Sequence, residues 1–170
     1  MTLLETPRLR LRNLCPGDLE ELCDYRNNEA CRRYQRGQFR EREELRAFIQ
    51  RCGQDTLDTP GKKRFAIADR HSDRLVGDLF LDLETPTLSL GYTISYKYHR
   101  QGYAFELLSA LTDRLHADYP DREIVCCVEP ENAASIGLLH KLGFADEGYC
   151  APIASLVFSK WAVKEPSTGR

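Results

Sequence analysis

Along this chain the spacing of apolar residues changes period many times, and the order of those changes constrains the fold more than any other feature. Thr6-Pro7-Arg8-Leu9-Arg10-Leu11-Arg12 alternates apolar and cationic residues, the mark of a strand with one wet face. Pro16 opens a helix over 16–27, with Leu19, Leu22, Cys23 and Arg26 on one stripe. Residues 28–40 are polar and irregular. A second helix at 41–52 carries Leu45, Phe48, Ile49 and Cys52 at i, i+3, i+4 and i+7. After a loop from Gly53 to Gly61 come strands at 63–69, 74–84 and 89–96. A helix then runs from Gly102 to before Pro120, a buried strand spans Glu123 to Val128, and a short helix from Asn132 to Lys141 is stopped by Gly143. Two further strands are expected at 144–149 and 153–162, followed by a frayed tail at 165–170. The order β-α-α-β-β-β-α-β-α-β-β implies one domain over residues 1–170 with its core at 6–162. The fold class is α/β (α+β): a mixed, mostly antiparallel central sheet of about seven strands with helices on both faces.

Net charge narrows the function classes. A 170-residue chain with a formal charge of −2 is not a general nucleic-acid binder. No apolar run approaches the roughly 18 residues of a membrane span, and Met1-Thr2-Leu3-Leu4-Glu5 begins no signal peptide, so the expected location is cytoplasmic. Seven cysteines, an odd number with no CxxC pair, argue against a disulfide framework and against a zinc site, and no metal is expected. They read as reduced thiols acting as small hydrophobes, with the adjacent Cys126 and Cys127 on opposite faces of their strand.

The segment Leu90-Gly91-Tyr92-Thr93-Ile94-Ser95-Tyr96-Lys97-Tyr98-His99-Arg100-Gln101-Gly102-Tyr103-Ala104-Phe105-Glu106 carries the chemistry. A strand runs into a short basic loop, and a small residue marks the start of a helix. Helix N-termini expose unpaired amides and the positive end of a dipole, so they bind phosphate. Gly102 lets backbone approach a diphosphate, Ala104 keeps the first turn low, and Arg100 and Lys97 add charge at the rim. With one glycine this is neither a Walker loop nor a dinucleotide GxGxxG, and a tight connection without ligand fits the same residues.

A second segment, Glu129-Pro130-Glu131-Asn132-Ala133-Ala134-Ser135-Ile136-Gly137-Leu138-Leu139-His140-Lys141-Leu142-Gly143-Phe144, gives the first its meaning. Together they resemble the GNAT acyl-CoA N-acyltransferase superfamily, and within it the ribosomal-protein N-terminal acetyltransferase branch. His99-x-x-Gly102-x-Ala104 follows the family's Q/R-x-x-G-x-G/A motif except at its first position. Asn132, Ser135 and Leu142-Gly143-Phe144 match its N-x-x-S…L-G-F pattern, and the opening Thr-Pro-Arg-Leu-Arg-Leu-Arg is typical of the branch. The resemblance spans residues 6–162. It implies an acetyl-CoA cleft between splayed parallel strands, here 89–96 and 123–128. Pantetheine would pair with backbone near Ile94 and Tyr96, and diphosphate would sit on the amides of Gln101, Gly102, Tyr103 and Ala104 beside His99 and Arg100. Asn132 would touch the pantetheine arm or cap its helix, and Ser135 would approach the sulfur.

Acyl transfer to an amine needs a neutral nucleophile, an oxyanion donor and a proton for the leaving thiolate. In the family a backbone amide near Ile94 is the natural oxyanion donor. The position where related enzymes often place a Glu is Ser89, and the usual Tyr position is Leu139. Strand alternation offers a substitute. A four-residue hairpin over 85–88 would pair Glu84 with Ser89 and Asp82 with Gly91, making Glu84, and after it Asp82, the candidate base. Ser135 is the candidate acid; His140, Tyr149 and Tyr103 are weaker alternatives.

The acceptor in this family lies near the first two helices, where residues 28–40 hold four arginines, two aromatics and one acid. An acidic or phosphorylated acceptor, or merely a solvated connector, fits that loop. The expected activity is acetyl transfer from acetyl-CoA to a primary amine, of a protein N-terminus or a small molecule, by a monomer or homodimer with no nucleic-acid or membrane partner. A non-catalytic acyl-CoA sensor is the alternative.

Overall fold

A computed structural model describes residues 1–84 and 86–163; the tail expected over 165–170 lies outside them. The chain forms one eight-stranded sheet in the order β1-β2-β3-β4-β5-β6-β8-β7, where β1 is Thr2–Glu5, β2 Leu9–Arg12, β3 Lys62–Asp69, β4 Leu75–Asp82, β5 Leu88–Ile94, β6 Ile124–Val128, β7 Ala145–Cys150 and β8 Ser155–Lys160. Among the described residues five α-helices accompany it: α1 Leu19–Asn27, α2 Glu29–Arg32, α3 Arg42–Cys52, α4 Tyr103–Asp118 and α5 Ala133–Lys141. The strand not foreseen is β1, an edge strand that pairs antiparallel with β2. The α2 turn, within a segment expected to be irregular, starts where Asn28 Oδ1 accepts the Ala30 amide at 3.0 Å.

Two cores sandwich the sheet. Leu107, Leu108, Leu111 and Leu115 of α4 and Leu139 of α5 pack with Phe65, Leu79, Leu81 and Phe158 on one face. Leu22 and Tyr25 of α1 pack with Leu45, Phe48 and Ile49 of α3 on the other. Arg12 ties the second layer to β2 through a two-pronged ion pair with Asp18, both contacts 2.8 Å, and donates to Asp73 Oδ1 at 3.0 Å. Burial opposes the charge of Arg12, but these carboxylates outweigh it and hold its pKa above the ordinary arginine value.

The register of the central hairpin differs from the expectation by two residues. Asp82 pairs with Ser89, Leu81 with Leu90 and Leu79 with Tyr92. A shift of two keeps every side chain on its expected face, which is why alternation alone could not detect it. Glu84 lies beyond the strand, and its amide donates to Asp82 Oδ1 at 2.9 Å. All sheet pairings are antiparallel except β5 with β6, and that parallel contact lasts for two residue pairs, Leu88–Ile124 and Ser89–Val125. From there β5 follows β4 to Ile94 while β6 follows β8 to Val128, so the sheet splits.

Gly77, opposite Ile94 at the split, is held by a close approach: a Cβ there would lie 2.1 Å from the Thr93 carbonyl oxygen. Gly77→Ala should lower the unfolding free energy by about 1–3 kcal/mol, since the backbone of β5 must move to admit it. Urea unfolding of the two proteins checks this, and an unchanged midpoint would show that β5 yields freely.

Candidate active site

The split opens a cleft of about 570 Å³ whose walls come from β5, the turn before α4, the first turn of α5 and the α2 segment. Strand residues present their N–H and C=O to the same edge, and the Leu88 amide faces β6, donating to Glu123 O at 2.7 Å. By alternation Tyr92 and Ile94 turn their peptide groups into the open side. Their carbonyls are met there by side chains: Gln35 Nε2 at 3.4 Å from Tyr92 O, with Cys31 Sγ at 3.5 Å and His99 Nε2 at 2.8 Å from Ile94 O.

The second wall is the N-terminus of α4. Gly102 precedes it at φ 77°, a left-handed conformation that costs glycine little, and Arg100 also has positive φ. The first bond of the helix runs from the Glu106 amide to Gly102 O, so the amides of Tyr103, Ala104 and Phe105 have no partner within the helix. Their direction and the helix dipole make this turn an anion cradle.

Residues far away in sequence hold the cradle. Glu106, on the first turn, accepts from Thr6 Oγ1 at 2.6 Å, from the Arg8 amide at 2.8 Å and from Arg8 Nε at 2.6 Å. Arg8 also donates to Gln101 O at 2.8 Å and lies 4.5 Å from the Tyr103 ring centroid. The Thr-Pro-Arg opening thus latches the loop before α4. Its sequence pattern was visible, but nothing in one dimension pairs Arg8 with Glu106.

The third wall places Tyr92 OH 2.6 Å from Ser135 Oγ. Burial raises the Tyr92 pKa, only partly opposed by the bond to Ser135, so the phenol stays protonated at neutral pH. Asn132 caps α5, its Oδ1 accepting the Ser135 amide at 3.2 Å, and also lines the cleft.

Of the expected site residues, Ile94, His99, Arg100, Gly102, Tyr103, Ala104, Asn132 and Ser135 meet in this one cleft. Tyr96 does not: its ring packs against the α1–α3 core and its hydroxyl donates to Asp24 at 3.2 Å. Gln101 turns out to solvent, its side chain donating to Lys97 O at 3.3 Å. Glu84 and Asp82 stand at the end of the hairpin where β5 and β6 are still paired, and neither lines the cleft. Leu139 is fully buried, His140 is an exposed residue edge-on to Phe158, and Tyr149 is exposed. Sequence reading passed over Tyr92 and Cys31, because a tyrosine in a strand and a lone cysteine both read as core.

Comparison with known proteins identifies the family and the fold. A family model described as the acetyltransferase (GNAT) domain matches residues 8–145. The chain is 30% identical over 152 residues, 87% of its length and 85% of the relative's, to the uncharacterized N-acetyltransferase p20 of Bacillus licheniformis. Its fold matches a GNAT-family acetyltransferase from Bacillus anthracis with a TM-score of 0.81 at 22% identity, over 95% of this chain and 98% of that one. A RimL ribosomal L7/L12 alpha-N-protein acetyltransferase, solved in complex with coenzyme A, matches with a TM-score of 0.76 at 17% identity over the same shares. The chain belongs to the GNAT acetyltransferase family.

The latch gives a stability prediction. Burial pushes the Glu106 pKa up, but the bonds from Thr6 and Arg8 outweigh it and set it below the ordinary carboxylate value. A depressed pKa contributes stability above the unfolded-state pKa, and that contribution is lost as pH falls through the folded value. Glu106→Gln should therefore cost about 1–2 kcal/mol at pH 7, with the difference shrinking below about pH 4. Denaturant unfolding at the two pH values measures it; a pH-independent difference would rule out the charged latch.

Proposed function

We propose that this acetyltransferase carries an acetyl group from acetyl-CoA directly to a primary amine. One observation carries the reading: the open edge of β5 and the unpaired amides at the start of α4 face a single cleft, one suited to an amide-bearing chain and the other to a diphosphate. Acetyl-CoA, when bound, supplies the activated thioester; the chain supplies everything else. The amides of Tyr103, Ala104 and Phe105 receive the diphosphate, with Arg100 at the rim. The Ile94 amide, at the open edge, is the donor for a developing oxyanion. Asn132 and Ser135 border the arm of the cosubstrate.

As the C–N bond forms and the C–S bond breaks, Ser135 Oγ gives its proton to the leaving sulfur and takes in return the proton released by the attacking nitrogen. Tyr92 OH, 2.6 Å away, stays protonated and holds the serine hydroxyl in place. Tyr92 thus brings to the site, from β5, the phenol that related enzymes carry on the helix where this chain has Leu139. The ribosomal-protein acetyltransferases among the structural neighbours support a protein N-terminal amine as acceptor; the cytoplasm is the proposed place of reaction.

Incubation with acetyl-CoA and a panel of peptides and small amines, followed by thiol release, tests the activity. Steady release with at least one amine is expected; tight acetyl-CoA binding with no release across the panel would replace the enzyme with an acyl-CoA sensor. Tyr92→Phe and Ser135→Ala should each lower kcat by about 10- to 100-fold, within the range for a positioned acid. Asp82→Asn and Glu84→Gln should leave kcat/KM within about threefold, because neither carboxylate reaches the cleft. Loss of activity in either of the latter would return the base to the hairpin.

A further inference from the structure

A second cavity, of about 350 Å³, opens on the α1–α3 face of the sheet between Phe39, Phe48 and Phe80. Arg51, Lys62, Lys63 and Arg64 line it against one carboxylate, Asp55. That carboxylate is already engaged, accepting the Arg64 amide at 3.1 Å, and Lys63 donates to Thr59. Arg51 and Lys62 make no ion pair among the described residues. Asp82, across the strands from Lys62, does not line the cavity.

The charge behind the cavity is unbalanced too. Arg26 and Arg64 share one oxygen of the fully buried Asp78, at 3.2 and 3.3 Å, and Tyr25 donates to the other. Arg26 is 1% exposed and its Nε has no hydrogen-bond partner. Two guanidiniums thus stand on a single carboxylate in a poorly solvated place, an arrangement that is costly without a further anion.

Position links this cavity to the cleft. Phe80 lies over Gly91, 3.7 Å from where a Cβ would stand, and Thr93, two residues along β5 on the same face, lines the cleft. Gly91 and Thr93 are roughly 7 Å apart along β5. The segment after α1 also spans both, with Cys31 and Gln35 at the cleft and Phe39 at the cavity.

We propose that the cavity binds the anionic group, carboxylate or phosphate, of the amine acceptor while the amine lies in the cleft. This rests on the acetyl-transfer reading, so the test has one arm that does not. In the first arm the full chain, without acetyl-CoA, is titrated calorimetrically with inorganic phosphate and with succinate. Binding is expected for at least one of them, weakened tenfold or more in the Arg51→Gln/Lys62→Gln double variant. In the second arm, kcat/KM is compared for Ser-Ala-Glu-amide, Ser-Ala-phosphoserine-amide and Ser-Ala-Gln-amide. An anionic peptide should be preferred by about tenfold, equivalent to about 1.4 kcal/mol. The double variant should bring the ratio close to one. Absence of anion binding overturns the site; binding with equal use of all three peptides overturns its assignment to the acceptor. If no amine is acetylated, the functional reading fails while the first arm still decides whether the cavity holds an anion.

Discussion

Everything functional in this chain depends on the parting of β5 from β6 after two residue pairs. A parallel pair is slightly less stable per residue than an antiparallel one, and each strand here has an antiparallel partner on its other side. When the twist of the sheet sets the two allegiances in conflict, the parallel contact gives way. The result is an open strand edge inside a packed domain. In most proteins such an edge is a liability that must be covered. Here it is the wall of a site, and α4 and α5 are placed so that their first turns close around it.

The parts that stabilise this opening come from distant places in the chain. Thr6 and Arg8 hold Glu106, and through it the turn whose amides are left unpaired. On the other side, Arg36 donates to Ile153 O and Ala154 O and pairs with Glu129, while Tyr34 donates to Glu131 O. The segment between α1 and α3 is therefore tied across the mouth of the cleft to the turns around α5 and β8. Arg36, which reads in sequence as part of a basic surface, serves as a fastener.

Much of the architecture was legible because burial writes itself into period. Leu108, Leu111 and Leu115 on α4, and Leu79 and Leu81 on β4, could face only one way. The glycine turn before α4 was legible for the same kind of reason, since a glycine ahead of an apolar helical stripe marks where the helix begins. The hairpin register was not legible. Placing Glu84 opposite Ser89 required the hairpin register, and a slip of two residues preserves every hydrophobic face while moving each carboxylate nearly 7 Å along the strand. Tyr92 stayed hidden because its meaning lies in a hydroxyl on another element, 43 positions away at Ser135.

By itself, then, the amino-acid sequence determined the elements, their order, the faces they bury and the glycine turn at the start of α4, because local propensity and periodicity encode all of these. The tertiary structure alone decided which residues meet: Tyr92 with Ser135, Arg8 with Glu106, and two arginines on the single carboxylate of Asp78. Pairings of this kind depend on register, strand twist and the competition between neighbouring ladders. Those are properties of the assembled sheet, and no short stretch of chain carries them.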